Sequence, residues 1–136
     1  MADLDTIQTG IETVLDTISG LQAHREWPDQ VNPPTAWPMV ADVAYGQTLG
    51  GDDAIMVFNI FCMVTQGGGV ERSQKALNDY VSSTGAMSIY KTLWDDGNLN
   101  GTVSGILSIN LASYGQHDMG GVEFTGAVWR VEVWAE

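Results

Sequence analysis

Apolar residues recur at spacings of three and four along the first part of the chain: Leu4, Ile7, Ile11, Val14, Leu15 and Ile18. Asp5, Glu12 and Asp16 take the opposite side. This period predicts an amphipathic helix over 3–20 that presents its stripe to a core. Asp3 and Asp5 sit where the N-terminal end of the helix dipole favours anions, and Gly20 is placed to end the helix.

The helical period then stops. Pro28, Pro33, Pro34 and Pro38, the only prolines in the chain, fall within 22–38 together with Trp27 and Trp37. Each proline fixes its own φ and pushes its predecessor out of the helical region, so this stretch is an extended connector. Two tryptophans are costly to leave in water. The connector is therefore expected to lie along the body of the domain or against a neighbour.

From Met39 to Gln66 the pattern is that of strands. Val40 to Leu49 and Ala54 to Thr65 flank Gly50-Gly51-Asp52-Asp53, which has the composition of a hairpin turn. The run from Ile55 to Val64 is apolar on nearly both faces. It predicts a central strand covered by helices on one side and by a further layer or subunit on the other. After Gly67-Gly68-Gly69 a second helix is expected over 70–83, with Val70, Leu77, Tyr80 and Val81 inward. Gly85 ends it, and Ser88 is the N-cap of a third short helix through Trp94. A closing hairpin spans 102–134, joined through 115–121. In its first strand Val103, Leu107, Ile109 and Leu111 share one parity, with Ile106 out of step. In its second, Trp129, Val131 and Val133 alternate with Arg130, Glu132 and Trp134. The order predicts one α+β domain over 1–136, with an antiparallel sheet of about four strands and helices packed on one face.

Size allows a core without disulfides. The chain has 136 residues, 44% of them hydrophobic, and a chain of this length buries about two-thirds of its unfolded surface. No apolar run reaches the length of a membrane-spanning helix, and residues 1–20 carry four acids rather than a basic leader. Charge narrows the picture further. Seventeen Asp and Glu stand against five Lys and Arg, a net charge of −12. That composition supplies no basic stripe for nucleic acid, and an anionic membrane surface would repel it. The single Cys62 has no intrachain disulfide partner.

Candidate chemistry is sparse. Asp96-Gly97-Asn98-Leu99-Asn100-Gly101 matches the first six positions of a calcium loop, but the twelfth position, which must be a bidentate Glu, is Leu107. A polar turn is the expected structure. Gly67–Gly69 lacks the Gly-Lys-Ser/Thr of a phosphate loop, since Val70-Glu71-Arg72 follows and Glu71 would face the anion. His117 beside Asp118 has no evident nucleophile, Cys62 lies within an apolar run, and one Cys with two distant His is too few ligands for zinc. The pairs Asp52-Asp53 and Asp95-Asp96 read as solvated charge. No catalytic residue, metal site or cofactor is assigned, and the chain is not read as an enzyme.

Five tryptophans are many for such a sequence. Trp94 and Trp129 are expected in the core. Trp27, Trp37 and Trp134 lie in the connector and at the chain end, where they either anchor an interface or cover the domain's own core.

The chain resembles the small tail terminator (tail completion) proteins of long-tailed, non-contractile bacteriophages, especially those of actinobacteria. The matching pieces run in order along nearly its whole length. A helix ends in Gly20-Leu21, the segment from Trp27 to Pro34 follows, and a strand opens at Pro38. Then come Arg72-Ser73-Gln74-Lys75-Ala76-Leu77-Asn78-Asp79-Tyr80, Thr84-Gly85-Ala86-Met87-Ser88-Ile89 and Leu99-Asn100-Gly101-Thr102-Val103, and the chain closes on a strand. The resemblance implies helices on an antiparallel sheet and a homo-oligomeric ring, usually hexameric, at the head-proximal end of the tail tube. Such a ring stops tube growth and offers the surface for joining the head. Its implied partners are further copies of itself, the tail tube protein and a neck or head-completion protein. The implied location is the virion, after assembly in the bacterial cytoplasm, without membrane or cofactor. Six copies would carry about −72, and an acidic lumen would let viral DNA pass without sticking. Asp52 and Asp53 are the candidates to face the lumen or tube, and Trp27, Trp37 and Trp134 the candidates for interfaces. A head-completion (stopper) protein of the neck and a soluble ligand-binding module are the alternative readings.

Overall fold

The strand with the longest apolar run lies at the centre of the sheet. The computed structural model describes residues 4–45, 54–66 and 71–135. Its elements run α1 (Leu4–Leu15), β1 (Gln22–Ala23), β2 (Thr35–Tyr45), β3 (Ala54–Gln66), α2 (Glu71–Val81), α3 (Ile89–Asp96), β4 (Gly105–Met119) and β5 (Val122–Ala135). The strands form one sheet in the order β1-β2-β3-β5-β4. The four long strands pair antiparallel, and β1 joins β2 in parallel. The fold is α+β.

The sheet has five strands rather than four because part of the connector is recruited into it. The amides of Gln22 and His24 donate to the carbonyls of Pro34 (3.0 Å) and Ala36 (2.9 Å). Proline lacks a donor but keeps its acceptor, so the proline-rich chain still serves one side of a ladder. β2 likewise opens at Thr35, inside the expected connector and ahead of the strand expected from Val40. The first helix also differs from its expected span. Its α-helical part ends at Leu15, and shorter bonds from Ile18 N–H to the carbonyl of Leu15 (3.0 Å) and from Leu21 N–H to that of Ile18 (3.2 Å) carry both side chains into the core.

Two clusters of buried side chains lie on the two faces of the sheet. On the helix side, Met56, Phe58, Ile60 and Cys62 of β3 and Trp129, Val131 and Val133 of β5 pack with Ile7, Ile11, Leu15, Leu77, Ile89 and Leu93. Strand alternation sends Trp37, Met63 and Phe124 to the other face, where Val31 of the connector and Phe61 and Met119 close around them. The connector thus supplies part of the second layer expected over β3.

The expected parity of β4 is corrected by two bulges. Its register to β5 shifts between Ile106 and Ser108 and again between Leu111 and Ser113. Leu107 and Ala112 are the extra residues, so Ile106, Ile109 and Leu111 come to share the helix side, opposite Val133, Val131 and Trp129. Leu107, expected inward, is half exposed.

Candidate functional site

The residues 96–101 form a closed turn. Ser88 caps the start of α3 by accepting from the Lys91 amide (3.1 Å), and Gly97, at φ 79°, ends it. The Asp96 carboxylate oxygen Oδ2 accepts from the amides of Asn98 (3.3 Å) and Asn100 (2.9 Å), and Asn98 Oδ1 accepts from Gly101 N–H (3.0 Å). Leu99 and Asn100 take positive φ values of 51° and 59°, which the chain reaches because Leu99 is fully buried and the carboxylate holds the loop from outside. Asp96 Oδ2 and Asn98 Oδ1 are thus both engaged by backbone amides of the turn itself.

His117 is not oriented by Asp118. The Asp118 Oδ1 accepts from the Gly121 amide (2.8 Å) and closes the turn between β4 and β5. The imidazole Nε2 instead shares a hydrogen bond of 2.9 Å with Ser113 Oγ, four residues back on β4. Cys62 is fully buried, and burial pushes its thiol up to about 12. It lies on the helix side of the sheet opposite Ala127, whereas His117 lies opposite Phe124 on the other side. The sheet itself separates thiol and imidazole. Asp95 pairs with Lys91 while Asp96 holds the turn, so the two neighbouring carboxylates serve different partners.

The tryptophans divide differently from the expectation. Trp27 is 51% exposed and stands between two open clefts of about 400 and 500 Å³, which share Trp27, Pro28, Asp29 and Gln30. Trp37, expected either to anchor an interface or to cover the domain's own core, is fully buried and stacks on Phe61 with ring centroids 5.5 Å apart and planes 5° apart. The early start of β2 places it within the sheet rather than in the connector. Trp134 is half-buried opposite Ile55. Trp129 is core, as expected. Trp94, also expected in the core, is 48% exposed and stacks on Tyr90, with 6.2 Å between centroids. The signal for that lies in the helix itself: Ile89 and Leu93 form one pair four apart, Tyr90 and Trp94 another, and a helix this short buries only one of them.

Asp52 and Asp53, the expected lumen-facing pair, lie outside the described residues, as do Gly67–Gly69. Among the described residues no group of three or more His, Cys, Asp and Glu is placed to hold a metal ion, and no helix is long and apolar enough to cross a membrane. The exposed large apolar side chains among the described residues include Trp27, Trp94 stacked on Tyr90, Met39, Val40 and Tyr45 of β2, and Leu107, Leu111 and Tyr114 of the outer strand β4. Large apolar side chains in such positions suit contact with other proteins. No protein-family model matches the chain, and no curated protein matches it.

Proposed function

We propose that this chain is a structural virion protein of the phage tail-to-head junction, a tail terminator. In this reading copies of it form a ring at the head-proximal end of the tail tube, stop the tube's growth and present the surface that joins the head. The observation that carries the reading is the ordered set of segments from Gly20-Leu21 through Trp27–Pro34 and Arg72–Tyr80 to Leu99–Val103, which resembles that family along nearly the whole chain. Helices confined to one face of a sheet whose four long strands pair antiparallel agree with the fold the resemblance implies. Exposed Trp27 supports a role in assembly, since interfaces favour large rigid anchors.

The charge has a use in such a ring. At −12 per copy, a lumen lined by these subunits repels a DNA backbone and leaves it free to slide. Asp52 and Asp53 are the proposed lumen or tube contacts. Reversing both to Lys should impair tail joining or DNA passage, and normal joining and passage in that variant would remove this assignment.

The test of the function is electron microscopy of particles made when the gene is silenced in an infected host. Overlong tubes without heads are the expected result. Tubes of normal length beside unjoined heads would make it a head-completion protein of the neck, and unchanged virions would overturn the structural reading.

A further inference from the structure

The turn over 96–101 holds the chain's only Asp-Gly and its only Asn-Gly pair, Asp96-Gly97 and Asn100-Gly101. In such pairs the glycine nitrogen can attack the preceding side-chain carbonyl carbon and close a five-membered ring. Glycine favours the reaction because no side chain shields its nitrogen or restricts the turn of the backbone. Asn32 precedes a proline, which has no N–H, and Asn59, Asn78, Asn98 and Asn110 precede residues with side chains. The two glycine pairs differ in how the fold holds the attacking nitrogen.

At Asp96-Gly97 both reacting groups are engaged. The Gly97 N–H makes the closing bond of α3, to the Leu93 carbonyl at 3.0 Å, and the Asp96 carboxylate is held by the amides of Asn98 and Asn100. At Asn100-Gly101 the restraint is lighter. The Gly101 N–H donates to Asn98 Oδ1 at 3.0 Å, and Asn98, Asn100 and Gly101 are all exposed. A β-carbon on Gly101 would meet nothing within 4 Å, and Asn100 lines an open groove beside Thr9 and Thr13 of α1. Water therefore reaches both the amide carbon and the nitrogen. Among the described residues, the nucleophile is held by one hydrogen bond to an exposed side chain.

We infer that Asn100 is a site of spontaneous deamidation in the folded protein, and that Asn98 sets its rate as a positioning residue. The Gly101 nitrogen gives its proton to hydroxide and attacks Asn100 Cγ. A C–N bond forms, the Cγ–Nδ2 bond breaks, and the amide nitrogen takes a proton from water and leaves as ammonia. Water then opens the succinimide to aspartate or isoaspartate, and nothing is oxidised or reduced. Either product adds a negative charge. Isoaspartate also routes the backbone through Cγ, inside the loop that the Thr102 and Val103 amides close on the Asn98 carbonyl (3.0 and 3.2 Å). That loop carries Leu99, whose carbonyl lies against Gly10 of α1, so conversion loosens the contact between helix and turn. The site does not depend on the tail-terminator reading, and either stands if the other fails.

Peptide mapping by mass spectrometry of the purified full chain, kept folded in mildly alkaline buffer over time, tests the inference. Conversion is expected at Asn100 before any other asparagine and before Asp96. Asn98→Ala removes the acceptor and should raise the rate at Asn100 about fivefold, the factor that one ordinary hydrogen bond is worth. Asn98→Asp keeps an acceptor oxygen and should stay at or below the parent rate. All three chains are compared at a temperature where urea unfolding shows each to be folded. An intact Asn100, earlier conversion elsewhere, or equal rates in Asn98→Ala and the parent overturns the inference. An Asn98→Asp rate that matches Asn98→Ala also overturns it, since loosening of the turn, and not loss of the acceptor, would then set the rate.

Discussion

Gly10, in the middle of α1, lies directly against the backbone carbonyl of Leu99 in the turn that follows α3. A β-carbon at Gly10 would overlap that oxygen and come within 2.8 Å of Thr102 Cγ2 and Oγ1. The helix can approach the turn this closely only because no side chain stands between them. Gly10→Ala therefore sets two effects against each other. Alanine improves helix propensity by about 1 kcal/mol, and overpacking against a rigid backbone costs about 1–3 kcal/mol. The carbonyl belongs to a buried residue at positive φ and has little freedom to yield, so the second effect should win. A net loss of about 1 kcal/mol or more is expected in urea unfolding; a raised midpoint would mean that the turn moves aside.

Trp37 and Trp27 lie ten residues apart in sequence and should respond oppositely to truncation. Trp37→Ala removes a fully buried ring stacked on Phe61 and should cost about 3–5 kcal/mol. Trp37→Phe should cost much less, because the indole N–H is buried without an acceptor among the described residues, and its loss offsets part of the lost packing. Trp27→Ala should stay within about 0.5 kcal/mol of the parent, since half the side chain is already in water. If Trp27 anchors an assembly contact, the same variant should instead reduce tail joining in a complementation assay. A large stability loss at Trp27 would assign it to the domain's own core.

Local signals in the chain were legible where the structure they specify is also local. The stripe of α1, the Ser88 cap and the polar turn at Asp96 all follow from neighbours within four residues. The central place of β3 was legible because a strand with no polar face has nowhere else to go. What escaped depends on distant partners. β1 exists only because the carbonyls of Pro34 and Ala36 happen to lie alongside it. The parity of β4 is set by bulges against β5, and no residue of β4 announces them. Two tryptophans depend on packing in a similar way. Proline neighbours leave Trp37 open between an interface and the core until the strand it enters is known, and the exposure of Trp94 follows from its step around the helix from Leu93 rather than from residue type.

Asp96 offers a test between a structural turn and a cation loop. Its carboxylate accepts from two backbone amides, so Asp96→Ala should cost about 1 kcal/mol, in the range of lost caps. Asp96→Asn keeps an acceptor oxygen and should be close to neutral. Thermal unfolding of the parent should not shift on adding millimolar calcium, because Leu107 stands where the closing carboxylate is needed. A rise in melting temperature with calcium that Asp96→Asn abolishes would assign the loop to metal binding.

Cys62 should make the fold sensitive to alkali. Its ordinary value is 9.0, and burial holds it near 12 in the folded chain. The folded thiol thus stays protonated where the unfolded one ionises. The stability contributed by this shift is fully present below about pH 9, declines as pH rises, and is gone once the folded thiol itself titrates near 12. The slope is about 1.4 kcal/mol per pH unit within that window. Tyr80 acts in the same direction: burial first, then the charges of Cys62 and Asp79, push its hydroxyl up. Comparing the parent with Cys62→Ala isolates the thiol, because every other alkaline titration is common to both apart from that minor coupling. The parent should start more stable, since alanine leaves a small void beside Tyr80 and Ala127, and its advantage should shrink between pH 9 and 12. Urea unfolding at several pH values reads the gap directly. Parallel curves would mean that the thiol reaches water in the folded state, and an aromatic disulfide reagent would then label it without denaturant.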